Sequence, residues 1–125
     1  YLTIGDLAKK NECPQVKIDA SVKLVISEIS KKRLGATVVI ENEKIVGIIT
    51  DGDVRRMLEK NNNIGKLTAR DIMSSNPIVV DPELLAYDLL NTLKSEEIGQ
   101  LVVKSSSGKY IGMVHILDLI KEGIE

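Results

Sequence analysis

The residues whose types and spacing could do chemistry are concentrated in one short segment, residues 47–53, which reads Gly-Ile-Ile-Thr-Asp-Gly-Asp. An apolar strand there runs directly into a helix start, whose unpaired N–H groups and partial positive charge suit a phosphate. The hydroxyl of Thr50 could donate to a phosphate oxygen, and the carboxylate of Asp53 could accept from vicinal sugar hydroxyls. Gly52 would allow a ligand to approach closely. The segment therefore indicates recognition of a phosphate and a sugar.

A structural interpretation accounts for the same residues without any ligand. Thr50 or Asp51 would cap the helix, and Asp53 would favour its positive end. Arg55 and Arg56 follow directly, and they are either solvated helix positions or groups that recognise a phosphate or carboxylate. Spacing alone leaves both interpretations open.

The elements that would position this segment occur twice along the chain. The first copy holds four apolar residues at the i, i+3, i+4, i+7 spacing of a helix with one buried face: Val22, Val25, Ile26 and Ile29. A shift of 64 residues reproduces this stripe as Ala86, Leu89, Leu90 and Leu93. A shift of 65 carries Asp53 onto Asp118 and places His115 where the first copy has Thr50. The duplication thus includes the candidate site.

Each copy predicts the order short strand, helix, strand, strand, helix. Ser21 is expected to cap the first helix, and Asp81 the corresponding helix of the second copy, with Pro82 at its first position. The β-branched runs predict two hairpins, 36–40 with 45–49 and 100–104 with 110–114. We therefore predict an α/β (α+β) fold of two β-α-β-β-α repeats, at 9–62 and 72–125, packed with pseudo-two-fold symmetry. A half of about 60 residues buries too little surface to be stable alone.

Composition excludes several functional classes. Seventeen basic and eighteen acidic residues give a net charge of −1, so no nucleic-acid or anionic membrane surface is indicated. One His and one Cys, Cys13, are too few for a metal cluster or a catalytic constellation. Apolar runs are far too short to span a bilayer, and no leader is present, so we expect a cytoplasmic protein. The start at Tyr1 favours a piece of a longer protein.

The duplicated unit, with its glycine, two apolar residues, Ser or Thr, two residues and Asp, resembles the cystathionine β-synthase (CBS) domain. CBS pairs bind adenosine nucleotides and related ligands in clefts between the two units. Three strings, 32–37 (KRLGAT), 50–56 (TDGDVRR) and 118–123 (DLIKEG), resemble the C-terminal CBS pair of the arabinose-5-phosphate isomerase family. In that family a preceding sugar-isomerase (SIS) domain carries out the aldose–ketose reaction. The resemblance implies a non-catalytic regulatory fragment of an enzyme that acts in octulosonate (Kdo), lipopolysaccharide or capsule synthesis.

The resemblance also implies roles for individual residues. Thr50 would meet the phosphate and Asp53 the ribose, while residues 16–18 and three further positions, Gly35, Ala36 and Thr37, would line the base pocket. In the second copy Asp118 is kept, but His115 is either a phosphate contact or an ordinary cleft histidine.

The implied ligand is an adenosine nucleotide or a cytidine-linked (CMP-activated) octulosonate, whose carboxylate Arg55 or Arg56 could pair with. No cofactor or metal is required. We expect a homodimer formed through the pair and a tetramer of the parent enzyme. The alternative is a structural module that joins subunits without binding a ligand.

Overall fold

The computed structural model describes residues 2–60, 63–93 and 99–121, and the side chains at 90–93 are outside this description. The elements within these ranges are α1 Ile4–Lys10, β1 Gln15–Lys17, α2 Val22–Lys32, β2 Ala36–Glu41, β3 Lys44–Thr50, α3 Asp51–Lys60, a 3-10 turn Ile64–Lys66, α4 Ala69–Ile72, β4 Val79–Val80, α5 Ala86–Leu93, β5 Gln100–Lys104, β6 Tyr110–His115 and α6 Ile116–Lys121. The mixed α/β class and the repeated element order agree with the sequence prediction. Of the predicted apolar stripe, the side chains of Leu90 and Leu93 lie outside the described residues, as do positions 61 and 62 at the end of the first predicted repeat.

The chain forms two compact units. The first-repeat unit is Pro14–Pro77, and the second-repeat unit is Ile78–Glu125 together with Tyr1–Cys13. Each unit has a three-stranded sheet, in the order β1-β2-β3 or β4-β5-β6, whose first pair is parallel and whose second pair is antiparallel. The packing units therefore differ from contiguous sequence repeats, because the N-terminal segment belongs with the second sheet.

Both hairpins form as predicted. In the first, Asn42 and Glu43 connect β2 to β3 with positive φ angles of 51° and 65°. Two consecutive positive φ values give the primed turn whose twist matches that of the flanking strands. The antiparallel register places Ala36 opposite Thr50, and in the second hairpin it places Gln100 opposite His115.

Helix α2 has the start and the buried face that the sequence predicts. The Ser21 side chain accepts a hydrogen bond from the Leu24 N–H at 3.2 Å, which confirms the predicted cap. Val22, Val25 and Ile29 are buried. The apolar stripe therefore faces the core, as its spacing predicts.

The predicted cap at Asp81 is wrong. Helix α5 begins at Ala86, and Asp81 instead closes a turn, accepting from the Glu83 N–H at 2.8 Å through its side chain. Its backbone carbonyl accepts from the Leu84 N–H at 3.2 Å, so Pro82 lies in this turn and not in the helix. An aspartate can bond its own backbone two residues on, and here that local bond competes with a helix start.

The short helices that precede the repeats pack by one repeated pattern. In the first-repeat unit, the N–H groups of Ala69 and Arg70 donate to the carbonyls of Ala20 and Ile18, at 2.9 and 3.0 Å. In the second-repeat unit, the N–H groups at 4 and 5 donate to the carbonyls at 84 and 82, both at 2.8 Å. Each first turn thus satisfies its free donors on the segment between the first strand and the next helix.

Each unit has its own apolar core. In the first-repeat unit the buried cluster comprises Val16, Ala20, Val25, Ile29, Val39, Ile49 and Ala69. In the second-repeat unit it comprises Ile4, Leu7, Ala8, Ala86, Leu89, Leu101, Val103, Val114 and Leu119. Helix α1 supplies three residues of the second cluster and α4 one residue of the first, so both helices are integral to the units they join.

Candidate functional site

The candidate site of the first-repeat unit lies where β3 passes directly into α3. Thr50 is the last residue of β3, and Asp51 is the first of α3. The Asp51 N–H donates to the Gly35 carbonyl at 2.9 Å, and Gly35 itself has a positive φ of 73°. A side chain at that φ would be strained, so glycine is favoured where β2 approaches α3. The hairpin thereby brings Gly35 and Ala36 next to Thr50.

Thr50 and Asp53 form a reciprocal cap on α3. One carboxylate oxygen of Asp53, Oδ2, accepts from the Thr50 N–H at 2.9 Å and from the Thr50 hydroxyl at 3.1 Å. The same hydroxyl accepts from the Asp53 N–H at 3.2 Å. Thr3 with Asp6 and Thr68 with Asp71 make the same arrangement at α1 and α4. The geometry therefore satisfies the structural interpretation, and a ligand would have to use atoms that already have partners.

The two arginines differ in their contacts. The Arg56 guanidinium lies 2.6 Å from Oδ1 of Asp53, with 59 % of the arginine side chain and 17 % of the aspartate side chain exposed. Such an exposed pair contributes at most about 1 kcal/mol, so Arg56 can leave Asp53 at little cost. Arg55 is exposed on the same helix. Arg56 therefore belongs to the cluster by geometry, and Arg55 lies beside it in sequence.

A cavity of about 290 Å³ lies beside the Asp53–Arg56 pair. It is lined by Asp53, Arg56, Met57, Lys60, Leu67, Asp71 and Ile72. Acidic, basic and three apolar side chains line this cavity, so it suits a group with an ionic part and an apolar part.

Half of the expected base-pocket positions are inaccessible. Ala36 and Thr37 are fully buried, and the Thr37 hydroxyl donates to the Val38 carbonyl at 3.1 Å. Val16 on β1 is also buried. Gly35 and Thr50 are half-buried. Of the expected base-pocket positions, Lys17, Ile18 and Gly35 present accessible atoms for a ligand, as does Thr50 at the expected phosphate position.

The second-repeat unit builds the corresponding site differently. The Asp118 carboxylate oxygen Oδ2 accepts from the His115 N–H at 2.8 Å. The His115 ring nitrogen Nδ1 accepts from the Leu117 N–H at 3.0 Å, which assigns the ring proton to Nε2 when the ring is neutral. The Ile116 N–H donates to the Gly99 carbonyl at 2.9 Å, as Asp51 does to Gly35. His115 thus takes part in the helix start through its ring nitrogen.

One residue of this second site was missed by sequence reasoning. The Asn11 side-chain amide donates to Asp118 Oδ2 at 2.9 Å and to the Met113 carbonyl at 3.0 Å. Asn11 follows α1 and lies outside the matched repeat positions, so the sequence contained no signal for this contact. From the 118–123 string, Asp118 has a defined place in the site, while positions 122 and 123 lie outside the described residues.

The glycine that opens each motif serves packing. A Cβ built at Gly47 would lie 2.7 Å from the Ser74 carbonyl oxygen, and one at Gly112 would lie 3.2 Å from that of Ala8. The close approach of Ser74, which follows α4, therefore requires the absence of a side chain at Gly47, and the close approach of α1 favours its absence at Gly112.

Cys13 is half-buried, with its Sγ 3.8 Å from the Ile111 carbonyl oxygen. Over residues 2–60, 63–93 and 99–121, no group of three or more His, Cys, Asp or Glu could hold a metal ion. In the same part of the chain, no helix has the length and apolar character needed to cross a membrane.

The sequence matches the CBS domain family twice, at residues 4–60 and 69–125. Among curated proteins, the arabinose 5-phosphate isomerase KdsD of Yersinia pestis is 36 % identical over 125 residues, which is 98 % of this chain and 38 % of that protein. The Escherichia coli protein of the same name is 35 % identical over 115 residues, covering 91 % of this chain and 35 % of its own length. The chain thus spans little more than a third of these relatives.

Solved structures share the fold. A crystal structure of a CBS domain protein superposes with a TM-score of 0.85 at 26 % identity, covering 98 % of both chains. A CBS-pair protein from Arabidopsis thaliana, solved in complex with AMP, has a TM-score of 0.76 at 20 % identity and covers 98 % of this chain and 96 % of its own. A CBS pair solved with 5′-methylthioadenosine and S-adenosyl-L-methionine has a TM-score of 0.80 at 20 % identity, with coverages of 97 % and 94 %.

Proposed function

The chain belongs to the CBS domain family, and we propose that it is the ligand-sensing CBS pair of a sugar-phosphate isomerase. The two family matches together occupy nearly the whole chain, so catalysis would reside in another part of the parent protein. The isomerase identity is supported by the 34–36 % identity to arabinose 5-phosphate isomerases over their matched region.

The observation that carries ligand sensing is the Thr50–Asp53–Arg56 cluster at the start of α3. It combines a hydroxyl, a carboxylate and a guanidinium within the seven residues 50–56, beside a cavity of about 290 Å³. Hydroxyl and guanidinium groups recognise a phosphate, and a carboxylate recognises sugar hydroxyls.

We propose that binding exchanges internal partners for ligand atoms. Arg56 would leave Asp53 and pair with the ligand's phosphate or carboxylate, which would free Oδ1 of Asp53 to accept from a ribose hydroxyl. Oδ2 would keep its bond to the Thr50 N–H, and the Thr50 hydroxyl would turn its proton from Oδ2 to the phosphate while still accepting from the Asp53 N–H, so the helix cap would survive. Because the Asp53–Arg56 pair is exposed, its loss costs about 1 kcal/mol or less.

Adenosine nucleotides are the first ligand class to test, because two structural neighbours were solved with adenosine compounds. The alternative is a CMP-activated octulosonate, a late product that would report on an isomerase at the head of its own pathway. Arg55 or Arg56 would pair with the carboxylate of that sugar.

The proposal extends to the parent protein. A SIS domain would precede the pair and convert an aldose phosphate to a ketose phosphate for Kdo, lipopolysaccharide or capsule synthesis in the cytoplasm. The pair would form a homodimer and the parent a tetramer, with exposed apolar side chains such as Leu24, Leu58 and Leu117 available for burial.

Calorimetry with AMP and the activated sugar tests the site through Asp53→Ala. Charge-assisted hydrogen bonds are worth about 1.5–3 kcal/mol, so affinity should fall roughly 10- to 100-fold. Asp118→Ala should reduce affinity less, because the Thr50/Asp53 site has both the hydroxyl and the guanidinium. Asp6→Ala is the matched control, since it removes the same kind of cap at α1. Equal losses from Asp6→Ala and Asp53→Ala, or no binding of either compound, would contradict the proposal.

A structural module without a ligand is the second candidate. It is favoured by one observation: both carboxylate oxygens of Asp53 already accept hydrogen bonds within the protein. That function predicts an unchanged melting temperature with every nucleotide, whereas a ligand at 100-fold over Kd should add about 2.7 kcal/mol of stability.

A further inference from the structure

Asn11 holds a position that neither repeat motif includes. It is the C-terminal cap residue of α1, where its own N–H donates to the Ala8 carbonyl at 3.1 Å. Its side-chain amide has two N–H donors, and it directs one to Asp118 Oδ2 and the other to the Met113 carbonyl. A half-buried amide with both donors engaged is held in one orientation.

In the first-repeat unit, the corresponding carbonyl and carboxylate accept hydrogen bonds from other groups, and no asparagine among the described residues is involved. There the carbonyl of Ile48, the counterpart of Met113, accepts from the backbone N–H of Ser74 at 2.9 Å. The carboxylate of Asp53 accepts from the Thr50 hydroxyl at 3.1 Å. Asn11 therefore replaces two separate donors, one from a backbone group and one from a hydroxyl that the second copy lacks.

We infer that Asn11 is a positioning residue for Asp118, and that it couples the end of helix α1 to the state of the Asp118 carboxylate. With His115, Asn11 saturates Oδ2, and Oδ1 has no hydrogen-bond partner within the described part of the chain. The carboxylate is thus oriented with one oxygen available to a donor. Any group that pulls the carboxylate away must break the bond to Asn11.

The contact bridges 107 positions of sequence within one packing unit. Because Asn11 ends α1 and bonds Asp118 directly, a change at Asp118 would reach the end of the helix through the Asn11 side chain. Only the ligand-dependent consequence rests on the proposed function. The positioning itself is a property of the free protein.

The ligand-free test is a double-substitution cycle read by NMR in the full chain. Asn11→Ala and Asp118→Ala should each speed amide hydrogen exchange at the C-terminal turn of α1 about 5- to 10-fold, and the double variant should be no faster than either. In the Asp118→Ala variant the Asn11 side-chain NH2 resonances should move toward solvent-exposed positions. Additive effects, or unmoved NH2 resonances, would overturn the inference.

Asn11→Asp separates positioning from packing. Aspartate has nearly the volume of asparagine but places a carboxylate against Asp118, so it should perturb α1 exchange more than alanine does. A role in packing alone predicts the opposite order, with alanine worse. Asn63→Ala is the matched control, because Asn63 is exposed and makes no side-chain cap bond at the 3-10 turn. Its α1 exchange should equal that of the parent sequence.

The ligand arm uses AMP as the probe. Titration should shift the Asn11 NH2 resonances of the parent sequence, and Asn11→Ala should remove the AMP-induced change in α1 exchange while leaving the shifts around Thr50 intact. An AMP response of α1 that persists in Asn11→Ala would overturn the coupling. If AMP binds nowhere, the proposed function fails, and the ligand-free cycle still decides whether Asn11 positions Asp118.

Discussion

The sites around Asp53 and Asp118 share the same backbone hydrogen bonds. They differ in the residue whose side chain donates to the carboxylate. In both, the first turn of the closing helix begins with an N–H that donates to the carbonyl at 35 or 99, at 2.9 Å. In both, an aspartate three residues after the strand end accepts from the N–H of that strand-end residue. The further side-chain donor to the same carboxylate oxygen, Oδ2, is the Thr50 hydroxyl in the first-repeat unit and the Asn11 amide in the second.

The difference shows which parts of a duplicated motif are constrained. Free N–H groups at a helix start must find acceptors, so the carboxylate is kept in both copies. The donor that completes the carboxylate can come from any nearby element, so it varies. The first cluster is consequently local in sequence and self-contained, whereas the second depends on α1 packing against its sheet.

The largest expected effect concerns where the units are divided. Fragment 1–62 carries α1 without its sheet and lacks α4, whose N–H groups bond the carbonyls of Ala20 and Ile18. It should be unfolded or aggregated, because losing Ala69 reduces an apolar core that is already small for a half-chain of about 60 residues. Fragment 14–77, which is the whole first-repeat unit, should retain more cooperative unfolding, measured by circular dichroism in urea. If the two fragments unfold with equal cooperativity, α4 does not stabilise the first sheet and the division at 14–77 is contradicted.

The motif glycines should differ between copies. Gly47→Ala puts a Cβ 2.7 Å from a backbone oxygen and should destabilise by roughly 1–3 kcal/mol through overpacking. Gly112→Ala meets its nearest atom at 3.2 Å and should cost less, below about 1 kcal/mol. Urea midpoints of both variants measure this, and a larger loss at Gly112 would show that the first-repeat contact yields more easily.

Substitutions at Ser21 and Asp81, the two caps predicted from the sequence, should differ in their effect on stability. Ser21→Ala removes the cap of α2 and should cost about 1 kcal/mol. Asp81→Ala removes one exposed turn bond and should stay within about 0.5 kcal/mol, because Asp81 does not cap α5. Thermal unfolding of both variants at equal concentration compares them. A loss at Asp81 as large as that at Ser21 would restore the cap predicted from the sequence.

The smallest effect is expected at acid pH. The hydrogen bond from the Thr3 backbone, followed by that from its hydroxyl, holds the pKa of Asp6 below its usual range. A carboxyl with a lowered folded pKa adds stability that is fully present above the unfolded pKa and is lost as pH falls through the folded one. Asp6→Asn should therefore make the urea midpoint less dependent on pH below about pH 4. An unchanged pH dependence would indicate that the Thr3 bonds are not retained in solution.

Sequence alone determined the features that depend on neighbours a few residues apart. The stripe of Val22, Val25 and Ile29, the cap at Ser21, both hairpins and the duplicated aspartates follow from helical period, side-chain reach and turn geometry. Such interactions close within one turn of a helix or hairpin, so the distant parts of the chain do not alter them. The Thr50–Asp53 contact belongs to this group as well.

Tertiary structure decided the rest, because it depends on which surfaces meet. Helix α1 joins the second sheet and α4 the first, since each finds there the carbonyls that accept its first N–H groups and an apolar surface to bury. That choice brings Asn11 to Asp118 across 107 residues, a pairing that no local pattern encodes. Asp81 lies in a turn and does not cap a helix, because its bonds to Glu83 and Leu84 compete with a helix start. Helix α1 packs onto the same turn through the Gly5–Pro82 hydrogen bond and stabilises it.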